Sequence, residues 1–181
     1  YFVEGAQKLD YCRIHSHEAY VLDTDGEIGT AVLSAPTGIR VMANLEGKAS
    51  HAALKPEDGI NAVSMAVDAI SHMRLGRVDA DTTANIGIIR GGTSGNIVPD
   101  RCFVEGETRS LVHESALRQR DHMAACFQEA ADRAGGSVEF AISTVYTAWS
   151  VDEDAPICQR FCRAANQAEL KPVFQRACGG S

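Results

Sequence analysis

The sequence predicts an α+β fold, with a ferredoxin-like βαββαβ domain at its centre: a four-stranded antiparallel sheet with two helices on one face. Three observations predict it. Four segments read as strands, the first by alternating apolar and polar residues and the others by β-rich composition or spaced apolar members. Two segments repeat apolar residues every three or four positions, as amphipathic helices do. The helical segments fall after the first strand and after the third, which gives the split βαβ order. One apolar stripe on each helix then covers one face of the sheet. The other face and one edge are left open to a partner.

The elements follow in chain order. Residues 1–37 read as broken α/β: Tyr20-Val21-Leu22 is a short strand signal, Asp23-Thr24-Asp25-Gly26 a turn, and Ala31-Val32-Leu33 a second strand. The cluster Ala35-Pro36-Thr37-Gly38 sets the first boundary. Ile39 to Leu45 is the first strand of the central domain. Pro56-Glu57-Asp58-Gly59 opens a helix with acids at its positive end, and Ile60, Val63, Val67, Ile70 and Met73 form its apolar stripe. Thr82 to Ile89 is the second strand, Gly91 to Gly95 a turn, and Ile97 to Ser110 the third, with Val98, Phe103 and Val104 as apolar members. The second helix starts near Ser115, with Leu117, Ala124, Phe127, Ala131 and Ala134 on one face, and Gly135-Gly136 ends it as a left-handed cap. Ser137 to Trp149 is the last strand. A further helix over Asp154 to Leu170 carries Ile157, Phe161, Ala164 and Ala168 and stops at Lys171-Pro172.

Composition narrows the function. The chain has 181 residues, 45% of them hydrophobic, which suits a globular core. A net charge of −7 with dispersed Lys and Arg argues against nucleic acid or an anionic membrane as partner. No apolar run approaches the roughly 20 residues of a membrane span. The six cysteines form no C-x-x-C pair, and free thiols in a reducing cytoplasm are expected. Since the chain opens on Tyr1, its natural N-terminus is expected to lie further upstream.

Four constellations carry possible chemistry. In Gly47-Lys48-Ala49-Ser50-His51-Ala52-Ala53, small residues crowd one imidazole. Its ring N–H suits donation to an oxyanion, and its plain alternative is a turn histidine held by local hydrogen bonds. The Gly-rich run Gly91 to Asp100 brings backbone N–H groups and Asn96 toward a ligand, or is simply a hairpin turn. It is not a phosphate loop, for no G-K-[ST] follows. Arg109 in Glu105-Gly106-Glu107-Thr108-Arg109-Ser110 is either a fork for a carboxylate or one half of a surface ion pair. Asp23, directly after a strand, suits a metal site, or serves a β-turn. His15-Ser16-His17 reads as a solvated loop rather than a metal pair.

Five segments, in order, resemble the M20 metallopeptidases, and most closely the peptidase T and peptidase T-like members. The run Gly47 to Asn61 (G-K-A-S-H-A-A-L-K-P-E-D-G-I-N) resembles the start of that family's lid, or dimerisation, domain. Thr82-Thr83-Ala84-Asn85-Ile86-Gly87, with Gly91-Gly92 to Pro99-Asp100, resembles its central hairpin, and Glu107-Thr108-Arg109-Ser110 the next strand. Tyr20 to Gly29 resembles the catalytic-domain strand before the lid, and Gly179-Gly180-Ser181 the loop that re-enters that domain. The resemblance covers essentially the whole chain.

It implies a lid at residues 38–150 inserted in an α/β zinc-exopeptidase domain, of which residues 1–37 and 151–181 are incomplete parts. It implies two zinc ions, roughly 3.5–4 Å apart, that activate a water. Asp23 matches a metal ligand. His51 matches the lid histidine that reaches the partner's active site in a homodimer. Asn96 and Arg109 match residues that bind the substrate backbone or carboxylate, and Gly179, Gly180 and Ser181 a substrate-side loop. The family's H-x-D pair, Glu-Glu pair and last His ligand are absent from this chain, so it alone is expected to hold no zinc and to be inactive. The expected parent is a cytoplasmic aminopeptidase of tripeptidase type acting on short peptides. An N-acyl amino acid deacylase, a carboxypeptidase, or a non-enzymatic dimerisation or small-ligand module are the alternatives.

Overall fold

The computed structural model describes Gly5, residues 8–22 and residues 26–176. In chain order its elements are β1 (Thr30–Ala35), β2 (Thr37–Glu46), β3 (Ser50–His51), α1 (Ala62–His72), β4 (Gly76–Arg77), β5 (Thr82–Gly91), β6 (Ile97–Val98), β7 (Arg101–Ser110), α2 (His113–Ala134), β8 (Ser137–Tyr146), β9 (Trp149–Ser150), α3 (Pro156–Gln167) and β10 (Val173–Arg176). The chain divides into two compact units, one over residues 36–149 and one built from the flanks.

In the central unit the strands order as β4-β5-β7-β2-β8, with every neighbouring pair antiparallel. The four long strands are those the sequence predicts. The fifth, β4, is two residues long and was not anticipated. It forms because the Val78 and Asp79 amides both donate to Thr82 O (2.9 and 3.3 Å), which folds the chain back along β5.

Alternation decides the faces. From β2, Ile39, Val41, Ala43 and Leu45 are buried, as are Cys102, Val104, Thr108 and Ser110 from β7. Phe103, expected beside Val104 in the core, is only half-buried, since adjacent strand residues point to opposite faces. The expected strand Ile97 to Ser110 is broken at Pro99-Asp100: Pro99 has no N–H for a ladder, and β6 pairs with β3 instead. The last predicted strand likewise stops at Tyr146.

Both helices differ from the predicted stripes. Pro56–Asp58 is a separate 3-10 turn, because Gly59 is extended and Ile60 forms a β-bridge with Lys48. The helix α1 is capped by Asn61, whose side chain accepts from the Ser64 amide at 3.0 Å. Its buried residues are Ala62, Met65, Ala66 and Ala69, while Val67 is 58% exposed. Of the rest of the predicted stripe, Met73 is buried and Ile60, Val63 and Ile70 pack half-buried against the core, flanking the alanines that let the helix approach the sheet closely. On α2, which begins at His113, the buried set is Ala116, Gln119, Met123, Cys126, Phe127, Ala130 and Ala131; Leu117 and Ala124 are half-buried and Ala134 exposed. Gln119 Nε2 donates to Arg74 O at 2.8 Å, and His122 Nε2 accepts from the Arg74 amide at 3.1 Å. Two side chains of α2 therefore hold both backbone polar groups of one residue beyond α1.

In the flanking unit β1 and β10 pair in parallel, with Thr30 opposite Val173 and Ala31 opposite Phe174. Val151 N donates to Leu33 O at 2.7 Å. The Phe161 and Phe174 rings pack at 6.0 Å. Tyr20-Val21-Leu22 is not a strand: it makes no ladder, and Val21 and Leu22 are 79% and 97% exposed. The helix α3 starts at Pro156, not Asp154, and ends at Gln167 rather than Leu170, because Glu169 takes a left-handed conformation and the Leu170 amide turns back to Ala165 O at 2.9 Å. Cys158 and Ala165 are its buried residues; Ala164 and Ala168, predicted inward, are exposed.

Two stability tests follow from this packing. Gly135 holds φ +75° at the end of α2, and an added Cβ would meet nothing closer than Ile60 Cδ1 at 4.0 Å. Gly135→Ala should therefore cost about 1 kcal/mol in denaturant unfolding, from backbone strain alone. Burial and then the Arg74 charge hold the His122 imidazole below its usual 6.5, with Glu129 opposing. The folded protein then binds this proton less readily than the unfolded chain. Its contribution is complete above the unfolded value and is lost as pH falls through the folded one. Unfolding midpoints measured from about pH 7 down to 5 should fall less steeply in His122→Gln, whose amide oxygen accepts without titrating.

Candidate functional site

Three chain segments meet beyond the β2–β7 end of the sheet. Lys48 and Ile60 exchange both backbone hydrogen bonds at 2.9 Å, Gly47 N donates to Asp100 O at 2.8 Å, and Ala62 N donates to Pro99 O at 2.8 Å. Gly47 is required for this approach, since a Cβ there would collide with the Ile60 carbonyl. The β3–β6 ribbon stands on this junction, pairing Ser50 with Val98 and His51 with Ile97. Ala52 N donates to Asn96 O at 3.0 Å. His51 and Asn96 are thus neighbours on one exposed ribbon.

The His51 ring is oriented locally. Its Nδ1 accepts from the Ala53 and Leu54 amides at 3.2 and 3.3 Å. A nitrogen that accepts two N–H groups carries no proton, so in the neutral ring the proton sits on Nε2. The ring therefore presents an N–H donor outward. Asn96 Oδ1 accepts from Ser94 Oγ at 2.6 Å, which fixes the amide and leaves its NH2 group as a donor.

Arg109 lies elsewhere. It is on β7, on the sheet face that the helices leave open, eight residues along from Arg101. At the strand rise this puts it roughly 26 Å from the His51 end of the sheet. Glu107 holds it: Nη2 donates to Oε2 at 3.0 Å, and Nε, buried, sits 2.9 Å from Oε1 without good hydrogen-bond geometry. That contact, ahead of the opposing effect of burial, raises the guanidinium pKa. In register, Thr83, Arg109, Gly38 and Tyr146 form a row across four strands. The sequence reading missed Tyr146. Its signal was an aromatic residue directly across from a glycine, readable only once strand register is known.

So one chain unites His51 with Asn96 and separates both from Arg109. Asp23, Gly179, Gly180 and Ser181 lie outside the described residues. Among the described residues, no three of His, Cys, Asp and Glu converge as a metal site. His15 and His17 are exposed, on a loop where Ser16 Oγ donates to Glu18 O at 2.6 Å.

Comparison with known proteins gives this geometry a context. Residues 38–134 match the M20 peptidase dimerisation domain. The chain is similar to the YqjE protein of Bacillus subtilis, with 40% identity over 177 residues, 98% of this chain and 48% of that protein. It is also similar to one of the subunits of p-aminobenzoyl-glutamate hydrolase from Escherichia coli, at 31% identity over 110 residues, 60% of this chain and 25% of that protein. Among solved structures, aminopeptidase PepT from Bacillus cereus matches with a TM-score of 0.93 and 37% identity, covering 99% of this chain and 48% of that one. A tripeptidase from Staphylococcus aureus matches with a TM-score of 0.94 and 33% identity, covering 98% and 47%. The chain thus spans about half the length of YqjE, PepT and the tripeptidase.

The junction beneath His51 is testable. Gly47→Ala should destabilise the protein by about 1–3 kcal/mol, the usual cost of forcing an atom into packed structure. Hydrogen exchange should speed up at the Lys48 and Ile60 amides while the β2 and β7 amides stay protected. Unchanged protection at Lys48 and Ile60 would show that the junction tolerates a side chain.

Proposed function

Since this chain belongs to the M20 peptidases through their dimerisation domain, we propose that it is part of a di-zinc aminopeptidase of tripeptidase type that hydrolyses short peptides. The likeness to PepT and to the tripeptidase runs over nearly the whole chain and supports this substrate class. In such an enzyme the zinc pair supplies the activated water. Asp23 is proposed as one ligand; the described residues hold no ligand set. The described cysteines are free thiols, which favours a reducing compartment such as the cytoplasm. No helix of the described residues is long and apolar enough to cross a membrane.

The observation that carries the mechanism is the His51 tautomer. With Nδ1 occupied by two backbone N–H groups, Nε2–H is the donor, and it is aimed before substrate arrives. A preset N–H meets full negative charge only when the scissile carbonyl becomes tetrahedral, so it stabilises the transition state more than the substrate. Asn96, on the same ribbon, is placed to hold the peptide backbone beside it. Arg109 binds the substrate carboxylate through the Nη1 side of its guanidinium, the side that Glu107 leaves free. A single small peptide does not span the separation between them within one chain. We therefore assign His51 and Asn96 to the partner's active site in a homodimer, and Arg109 to its own. Gly179, Gly180 and Ser181 are proposed as a substrate-side loop.

Similarity to a component of p-aminobenzoyl-glutamate hydrolase favours one second reading: cleavage of an N-acyl amino acid or of a C-terminal residue. A panel of tripeptides, N-acyl amino acids and N-blocked peptides, tested on the metal-loaded full-length protein, separates the two. Cleavage of tripeptides only with a free N-terminus supports the aminopeptidase. In that protein His51→Ala should lower kcat by on the order of 10²–10³. Arg109→Ala should mainly raise KM, because its contact is made in the ground state as well. Mixing His51→Ala subunits with Asp23→Ala subunits should restore activity, since one site of the mixed dimer keeps both its metal ligand and an intact partner imidazole. A mixed dimer that forms but stays inactive would refute the cross-subunit role.

A further inference from the structure

The open sheet face carries a group that the carboxylate reading does not use. Tyr146 is directly across β2 from Arg109, with Gly38 between them. Cross-strand neighbours are about 5 Å apart, so Tyr146 and Arg109 are within reach only by leaning over the middle strand. Tyr146 does lean. An ideal Cβ on Gly38 would lie 2.5 Å from its Cζ, 2.6 Å from its Cε2 and 2.8 Å from its hydroxyl oxygen. The far end of the ring therefore rests on the Gly38 backbone, where any side chain would block it. With its ring over Gly38, the phenol ends one strand away from Arg109, about 5 Å in register.

Both groups retain unused donors. Glu107 engages the Nε and Nη2 side of the guanidinium. Among the described residues no hydrogen bond ends on Arg109 Nη1 or on the Tyr146 hydroxyl. Thr83, in register on the far side of Arg109, completes the row. The Nη1 N–H groups on one side and a phenolic O–H on the other offer one donor to each oxygen of a carboxylate.

We propose that Tyr146 is a specificity-determining residue whose hydroxyl binds, together with Arg109, the terminal carboxylate of a short peptide substrate, and that Gly38 is the glycine that lets it do so. This rests on the assignment of Arg109 as the carboxylate anchor. Glu107 is a positioning residue: it holds one side of the guanidinium and turns the other toward the phenol.

The test uses the metal-loaded full-length enzyme and tripeptides ending in a free carboxylate or a carboxamide. Tyr146→Phe keeps the ring on Gly38 and removes only the hydroxyl. KM for the free acid should rise about tenfold, the scale of one hydrogen bond to a charged group, with kcat within about twofold. KM for the carboxamide should not change. Gly38→Ala, which displaces the ring without removing a polar group, should raise KM for the same substrate. An unchanged KM in Tyr146→Phe, beside a raised KM in Arg109→Ala, would overturn the proposal and leave the ring as mere cover for Gly38. Equal increases for acid and carboxamide would overturn it too. An unchanged KM in Arg109→Ala would instead overturn the carboxylate reading on which the proposal rests.

Discussion

The strand β2 is hydrogen-bonded along its length on both sides, to β7 and to β8. Its register is therefore fixed twice, and a one-residue slip on either side would turn Ile39, Val41, Ala43 and Leu45 out of the core. That double constraint settles what faces what. The helices cover the side chains of one parity, and Arg40, Glu105, Glu107 and Arg109 are sent to the opposite face. A functional side chain on the open face is held by the apolar residues behind it.

This explains the division of the candidate site. The ribbon with His51 and Asn96 grows from loops at one end of the sheet, whereas Arg109 is embedded in a strand near the other. The two ends contribute different physics. The ribbon end is built of backbone amides and a directed imidazole, suited to a charge that develops during reaction. The strand end holds a permanent cation beside a phenol, suited to a charge already present on the ligand. Within one chain the two ends stay apart.

Much of the fold was legible in the sequence because strand alternation and the Gly135 cap are local properties. The long strands and their order around two helices follow from patterning alone. The helix faces were less legible, since the rule that looks for large aliphatics passes over Ala62, Ala66 and Ala69, which are buried because they are small. The segment Tyr20-Val21-Leu22 has strand composition but makes no ladder, and a strand needs one. His51, Asn96 and Arg109 were visible as motifs; the tautomer of His51 and the position of Tyr146 were not. The position of Tyr146 depends on strand register, which only the folded chain determines. The tautomer depends instead on the local turn that brings the Ala53 and Leu54 amides to Nδ1, the locally held histidine that the sequence offered as an alternative.

The alanines of α1 also limit how this sequence can vary. Ala62, Ala66 and Ala69 are fully enclosed, so their positions are restricted by volume rather than by polarity. Serine adds one atom and a hydroxyl that can bond to the preceding turn, whereas leucine, a better helix former and more hydrophobic, adds three carbons with no space to enter. Tolerance along this face should therefore run opposite to a hydrophobicity scale. A conservative-looking apolar replacement would do more harm there than a small polar one.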